Sequence, residues 1–234
     1  MAAVLLGMAV FALPASAATI SGDFTCPNGF LGVLNVTGNL TVPANSSCGL
    51  TQGSTIGNDV TIDQGGSFFI GGTTIGHDLN ANHPNLIELG DPNNGTTATV
   101  IGHDVNINGT TGTFPFGEFI CQTQIGHNLT VQGTAPGTTG WDIGFPEPFN
   151  CARNSTPGDS IAGDATFSNN AGAYLDVGDS TFGHDLTYNG NTGIFDNLTD
   201  NSIVHNCTQS NNHPYDGSGN TAGNSIDACN SVNA

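Results

Sequence analysis

One pattern of apolar and polar positions recurs along the chain. Its seven residues read apolar, small, His/Gly/Asn, Asx, apolar, Thr/Asn, apolar. Val36-Thr37-Gly38-Asn39-Leu40-Thr41-Val42 is one copy, and Ile56-Gly57-Asn58-Asp59-Val60-Thr61-Ile62 is the next. Further copies begin at Ile75, Ile101, Ile125, Ile161, Phe182 and Ile203, the last degenerate, and a stub follows around Ala222-Gly223-Asn224. The eight starts at 36, 56, 75, 101, 125, 161, 182 and 203 are spaced by 20, 19, 26, 24, 36, 21 and 21 residues. Periods in this range belong to coiled repeat architectures. The fourth position is Asp or Asn, and the sixth Thr or Asn, in every copy. That regularity argues against disorder, which the composition alone would allow.

The pattern also fixes the local geometry. The tail of each motif alternates apolar, Thr/Asn, apolar, the mark of a half-buried strand. No stretch carries apolar residues at helical spacing. Gly and Asx before the strand mark a bend, because both tolerate left-handed dihedrals and Asx can bond nearby backbone. Short apolar runs upstream of each bend supply a second strand: Phe68-Phe69-Ile70, Leu86-Ile87, Phe119-Ile120, Leu175 with Val177, and Leu198. The expected fold is all-β, a right-handed parallel β-helix of about eight coils. At about 4.8 Å per coil the rod is about 38 Å long. Three coils are enlarged, by Asn82–Thr99, Gly109–Phe119 and Gly133–Ser160, and these insertions are expected as loops projecting from one side.

These motifs resemble a group of secreted, mainly actinobacterial repeat proteins with T-[IV]-G-G-N-[VL]-T-V units. The likeness runs from about Asn35 to Cys229, nearly the whole chain after its leader. A looser similarity, in coil length alone, links the chain to bactofilins. His replaces the second Gly of the family unit in several copies, which is a departure. The resemblance implies a parallel β-helix and export, and it implies no activity.

The N-terminus agrees with export. Ala2 to Leu13 is almost wholly apolar and runs into Ala15-Ser16-Ala17, an A-x-A cleavage signal. That run is shorter than the roughly 20 residues a membrane span needs. Residues 1–17 are therefore read as a signal peptide and 18–234 as one secreted or cell-surface domain, with no membrane insertion after cleavage. Six cysteines in an exported chain read as three disulfides. Cys26 and Cys48 are 22 residues apart, as are Cys207 and Cys229, a separation of one coil. Residues one coil apart stack at about 4.8 Å, within the Cα range a disulfide accepts. Cys121 and Cys151 span the most enlarged coil, so sequential pairing is expected, with staples at both ends and at the largest insertion.

Charge narrows the function. The chain has 19 acidic residues and a single basic one, Arg153, for a net charge of −18. Such a chain does not neutralise phosphates, which excludes nucleic acid and anionic membrane surfaces as partners. With no Lys and one Arg, Schiff-base and phosphoryl-transfer chemistry lack their residues. A carbohydrate-active β-helix enzyme remains an alternative, resting on Arg153 or on Asp142, Glu147, Asp159 and Asp164, which lie close in sequence. A field of −18 would repel acidic polysaccharides.

Two columns carry the candidate chemistry. His77, His103 and His127 hold the third motif position on successive coils, and His184 and His205 hold it further on. They read as a ladder at a corner, with His77, His103 and His127 as weaker candidate ligands for zinc or copper. Asp59, Asp78 and Asp104 stack at the next position. In water each neighbouring pair repels by about 0.9 kcal/mol, which Ca²⁺ would relieve, although no cofactor is required. Asx at the fourth position and Thr/Asn at the sixth are two apart and so share a face. Asp59/Thr61, Asp78/Asn80, Asp104/Asn106 and Asn128/Thr130 form the centre of that candidate ligand face. The chain is expected to be a non-catalytic structural or interaction protein. Its alternatives are a binder of neutral polysaccharide or another repetitive surface, and the enzyme above. Self-association of rods is a further expectation.

Overall fold

The computed structural model describes residues 17–90, 97–113, 117–144 and 158–233. The proposed signal peptide lies almost wholly outside this set. So do Glu147, Cys151 and Arg153.

The chain winds into a parallel β-helix with three strands per coil. Each strand pairs with its counterpart one coil away, giving three sheets of 10, 9 and 10 strands. A representative coil runs through Thr55–Ile56 in the first sheet, Val60–Ile62 in the second and Ser67–Ile70 in the third. The motif therefore straddles a corner. Its leading apolar residue is the end of a first-sheet strand, which the two-strand expectation overlooked. A strand of two or three residues is too short to show alternation.

The count of coils also rises from eight to about nine. Ile20-Ser21-Gly22-Asp23-Phe24-Thr25-Cys26 has the motif's pattern, and its strands Ala18–Ile20 and Phe24–Thr25 pair with Leu34–Val36 and Leu40–Val42. At the other end, Thr221–Ala222 closes the first sheet. The sole helix among the described residues, the 3₁₀ turn Asp227–Asn230, lies over the last strands of the second and third sheets. Antiparallel Val232–Asn233 closes the third sheet.

The core is a stack of like residues. Val36, Ile56, Ile75, Ile101, Ile125 and Ile161 line the first sheet, each buried. Paired inward residues of the second sheet, such as Val60 with Ile62 and Val105 with Ile107, meet Phe68, Ile87, Trp141 and Leu175 of the third. In-register stacking sets the close approach at the first corner. A Cβ on Gly76 would run into the carbonyl oxygen of Gly57, and one on Gly102 into that of Gly76.

The insertions do not share one side. The segment between Leu86–Leu89 and Thr99–Ile101 joins the third sheet to the first, as does that between Gly140–Ile143 and Ser160–Ile161. The segments before Glu118–Ile120 and before Gly140–Ile143 join the second sheet to the third. They flank both edges of the third sheet, because a coil with three corners offers more than one exit for a loop.

Two disulfides join neighbouring coils, Cys26–Cys48 and Cys207–Cys229, with Cα atoms 5.9 and 6.2 Å apart. The expected Cys121–Cys151 staple falls partly outside the described residues. Two disulfides in one small domain belong to an oxidising compartment.

Candidate functional site

The first corner, between the first and second sheets, carries both candidate columns. Here the chain turns so sharply that the backbone N–H of each Asx points along the rod axis. The Asx one coil earlier accepts it. Asp78 N–H donates to Asp59 Oδ1 at 3.2 Å, Asp104 N–H to Asp78 Oδ1 at 3.0 Å, and Asn128 N–H to Asp104 Oδ1 at 2.9 Å. The chain of bonds starts at Asp23, which accepts from Asn39 N–H, and ends at Asn206, which donates to Asp185. This explains why the fourth motif position is always Asp or Asn: the bend leaves a donor that a short side-chain oxygen one coil away satisfies.

The donors also answer the repulsion within the Asp column. Burial alone would raise the pKa of Asp104, but the Asn128 N–H and the His127 ring outweigh it and hold the carboxyl below its usual value. At Asp185 the Asn206 side chain and N–H do the same.

The histidines point outward. Side chains of His77, His103 and His127 are 64, 62 and 54% exposed. Each Nδ1 faces the Asp of the preceding coil, at 3.8 Å for His77–Asp59, 3.2 Å for His103–Asp78 and 2.7 Å for His127–Asp104. The His103 and His127 rings stack with centroids 5.2 Å apart, and His184 and His205 stack at 4.9 Å. Gly163 interrupts the column between the two groups.

The sixth motif position forms an outward column on the second sheet. Thr25, Thr41, Thr61, Asn80, Asn106, Thr130, Thr166, Thr187 and Thr208 follow one another in register. Two residues on, Asn82, Asn108, Gln132, Ser168, Asn189 and Ser210 form a parallel column. Asn106 Nδ2 donates to Asn80 Oδ1 at 3.1 Å, so part of the array is itself a ladder. Between the columns lies an open groove of about 440 Å³ on the stretch from Thr61 to Gln132. The expected face was Asx beside Thr. At the corner one oxygen of each of Asp59, Asp78, Asp104 and Asn128 accepts a backbone N–H, and on the sheet the Thr/Asn column has Asn/Gln/Ser beside it.

Two further polar columns were not anticipated. At the second-to-third corner, Asn170 N–H donates to Asn191 Oδ1 and Asn191 N–H to Asn212 Oδ1, at 3.1 and 2.8 Å. Their amide nitrogens donate to core-strand carbonyls, Asn191 to Phe167 and Asn212 to Tyr188. Thr134 N–H continues the column by donating to Asn170. At the third-to-first corner Ser180, Asn201, Asn220 and Asn230 repeat the arrangement, and Thr123 N–H donates to Asp159 there at 2.7 Å. Most of these residues are buried. A sequence signal exists. Most follow a residue in left-handed conformation, as in Asn169-Asn170, Asp179-Ser180, Gly190-Asn191, Asp200-Asn201 and Gly219-Asn220.

Of the acids of the enzyme alternative, the three within the described residues lie on different parts of the coil. Asp142 sits on the third sheet, Asp159 at the third-to-first corner and Asp164 in the exposed Asx ladder. Asp142 pairs in register with Asp176, and the Tyr174 hydroxyl donates to it at 3.3 Å. Glu118 and Asp196 share the register of the core residues Trp141 and Leu175. Burial raises their pKa values to about 8 and about 7, and that of Asp176 to about 6. Glu118, Asp142, Asp176 and Asp196 are all buried. Comparison with protein-family models, with curated proteins and with solved structures returns no match.

Proposed function

We propose that the chain is an exported, non-catalytic rod that contacts a repetitive, uncharged polymer through the polar face of its second sheet. The observation that supports this is the unbroken Thr/Asn column, in register over nine strands. Its repeat of about 4.8 Å comes from the sheet and not from any one side chain. A surface of that kind offers hydroxyl and amide groups at even steps, which matches a ligand that also repeats. Hydroxyl and amide groups suit neutral sugars, and a net charge of −18 opposes anionic ones. Export rests on the leader and on the disulfides, and the likeness to the secreted repeat proteins points the same way.

Depletion assays on insoluble polymers test the reading. The purified domain is expected to bind at least one neutral polysaccharide, such as cellulose, chitin or a β-glucan, and to leave pectin in solution. Replacing Asn80, Asn106 and Thr130 together by Ala should reduce binding at least tenfold with the circular dichroism unchanged. Equal retention by the triple variant, or no retention of the parent protein on any neutral polymer, would reject it.

A further inference from the structure

We infer that His103, Asp104 and His127 form a binding site for one divalent transition-metal ion of the zinc–copper kind. The site is separate from the polar face of the second sheet. Each of the three residues offers one ligand atom, and these atoms lie within 4.8 Å of one another. No other such group of three occurs among the described residues.

The contacts around the trio show which atoms an ion would take. Asp104 Oδ1 is engaged by the Asn128 N–H and lies 2.7 Å from His127 Nδ1. His127 Nδ1 is also 3.0 Å from Asn128 Nδ2. One nitrogen cannot donate to the first and accept from the second in the same tautomer. An ion held between His127 Nδ1 and the Asp104 carboxylate takes the place of that direct contact, with the lone pair on Nδ1 and the ring proton on Nε2. His103 is set differently, with its Nδ1 3.2 Å from Asp78 Oδ1, which leaves Nε2 as its ligand atom. A carboxylate behind the His103 imidazole is the arrangement that orients a histidine ligand.

Geometry requires a small closure. A tetrahedral ion with bonds of about 2.0–2.1 Å holds its ligand atoms about 3.3 Å apart. The three atoms are within 4.8 Å, and both imidazoles are more than half exposed, so side-chain rotation suffices. Two imidazoles and a carboxylate suit zinc or copper rather than Ca²⁺, which takes six or more oxygens. Water completes the shell. The fixed spacing of the coils, and not a loop, holds the two histidines one above the other.

The chain supplies its own control. His184 and His205 stack just as closely, at 4.9 Å, yet no carboxylate closes a comparable trio with them. Asn is compatible with the position, since Asn58 occupies it one coil before His77.

Calorimetric titration of the chelator-treated domain with Zn²⁺ at pH 7.5 tests the site. One equivalent is expected to bind, with tenfold or greater loss of affinity in His103→Asn and in His127→Asn. His184→Asn should leave the isotherm unchanged, and excess Ca²⁺ should not compete. Electron paramagnetic resonance of the Cu²⁺ form should show two nitrogen ligands, falling to one in either variant. Circular dichroism checks that each variant is folded. Absence of a stoichiometric heat, an unchanged isotherm in His103→Asn, or equal loss in His184→Asn would each overturn the assignment. Polymer retention does not depend on the metal, so either reading can fail alone.

Discussion

The exposed corner and the two buried corners solve one problem in two environments. At each, the bend leaves a backbone N–H aimed along the rod, and a side-chain oxygen on an adjacent coil accepts it. The exposed corner uses Asp as readily as Asn, because water shares in solvating the carboxylate. The buried corners use Ser, Thr and Asn almost throughout. An amide is neutral, and its nitrogen also reaches a core-strand carbonyl, as Asn191 reaches Phe167. In water a lost bond is replaced, whereas in the core both partners are left bare. The same ladder should therefore be worth little on one side of the rod and a great deal on the other.

The largest expected effect tests that difference directly. Asn191→Ala removes an oxygen that accepts from both the N–H and the Nδ2 of Asn170, and a nitrogen that donates to Phe167. At least two backbone groups are stranded in the core. Each costs about 1–3 kcal/mol, so a loss of about 3 kcal/mol or more is expected in urea denaturation. A loss below about 1 kcal/mol would show that water enters the buried corner and would remove the contrast.

The next effect concerns the one acid in a buried ladder. Asp159 accepts from the Thr123 N–H, as Asp104 accepts from Asn128 N–H at the exposed corner. Their ionisation moves in opposite directions. Burial pushes the Asp159 carboxyl well above its usual value despite the N–H groups of Thr123 and Gly144, while Asp104 is held below. An acid whose folded pKa is raised keeps its proton in the native state. Stability from that source is present in acid and is lost as pH rises above the unfolded carboxyl's pKa, about 3.9, until the folded value is passed. Glu118, Asp196 and Asp176 act in the same sense, with folded values of about 8, 7 and 6. The melting temperature is therefore expected to fall between pH 5 and pH 8. Asp159→Asn should flatten that fall and raise stability at pH 8 by about 1–3 kcal/mol, the scale of a badly solvated buried polar group. Asn201 and Asn220 already fill the equivalent place. A parent protein whose melting point climbs from pH 5 to pH 8 would contradict the burial of these acids.

The contrast also explains what the sequence disclosed. The exposed ladder and the outward Thr/Asn column were legible because they share one motif with the alternating core strand, so a seven-residue pattern carried both. The buried corners keep a fixed distance from it too, but they lie outside its seven residues: Thr134, Asn170, Asn191 and Asn212 come three residues after its last position, and Thr123, Asp159, Ser180 and Asn201 two before its first. Their residue type varies among Ser, Thr, Asn and Asp, and the usual marker is only a left-handed residue just before. Such pairs are common in any chain with 34 Gly. The first coil was missed because it starts only 16 residues before the next copy, at Ile20, and carries Cys26 at the seventh position. The candidate metal trio was half visible. The His column was plain, but which Asp approaches which ring depends on an offset of one coil that only the corner's bend fixes.

The smallest expected effect lies on the exposed ladder itself. Asp185 Oδ1 accepts from the N–H and the Nδ2 of Asn206, at 3.0 and 2.8 Å, and its carboxyl is held below the usual range chiefly by those two groups. Asp185→Asn keeps an oxygen in place for the N–H, so its stability at pH 7 should differ little from that of the parent. Asp185→Ala removes the acceptor, but the Asn206 N–H sits at an exposed corner where water replaces it. A loss of about 1 kcal/mol or less is expected, close to that of a helix cap. The pH dependence has the opposite sign to that of Asp159. A lowered carboxyl stabilises the fold above its unfolded pKa, and that share is lost as pH falls through the folded value, so the deficit of Asp185→Ala should shrink in acid. Equilibrium denaturation of the three proteins at pH 7 and in acid measures both quantities. If Asp185→Ala cost as much as Asn191→Ala, exposure would not be what separates the corners, and the donor geometry common to all three would be setting the energy instead.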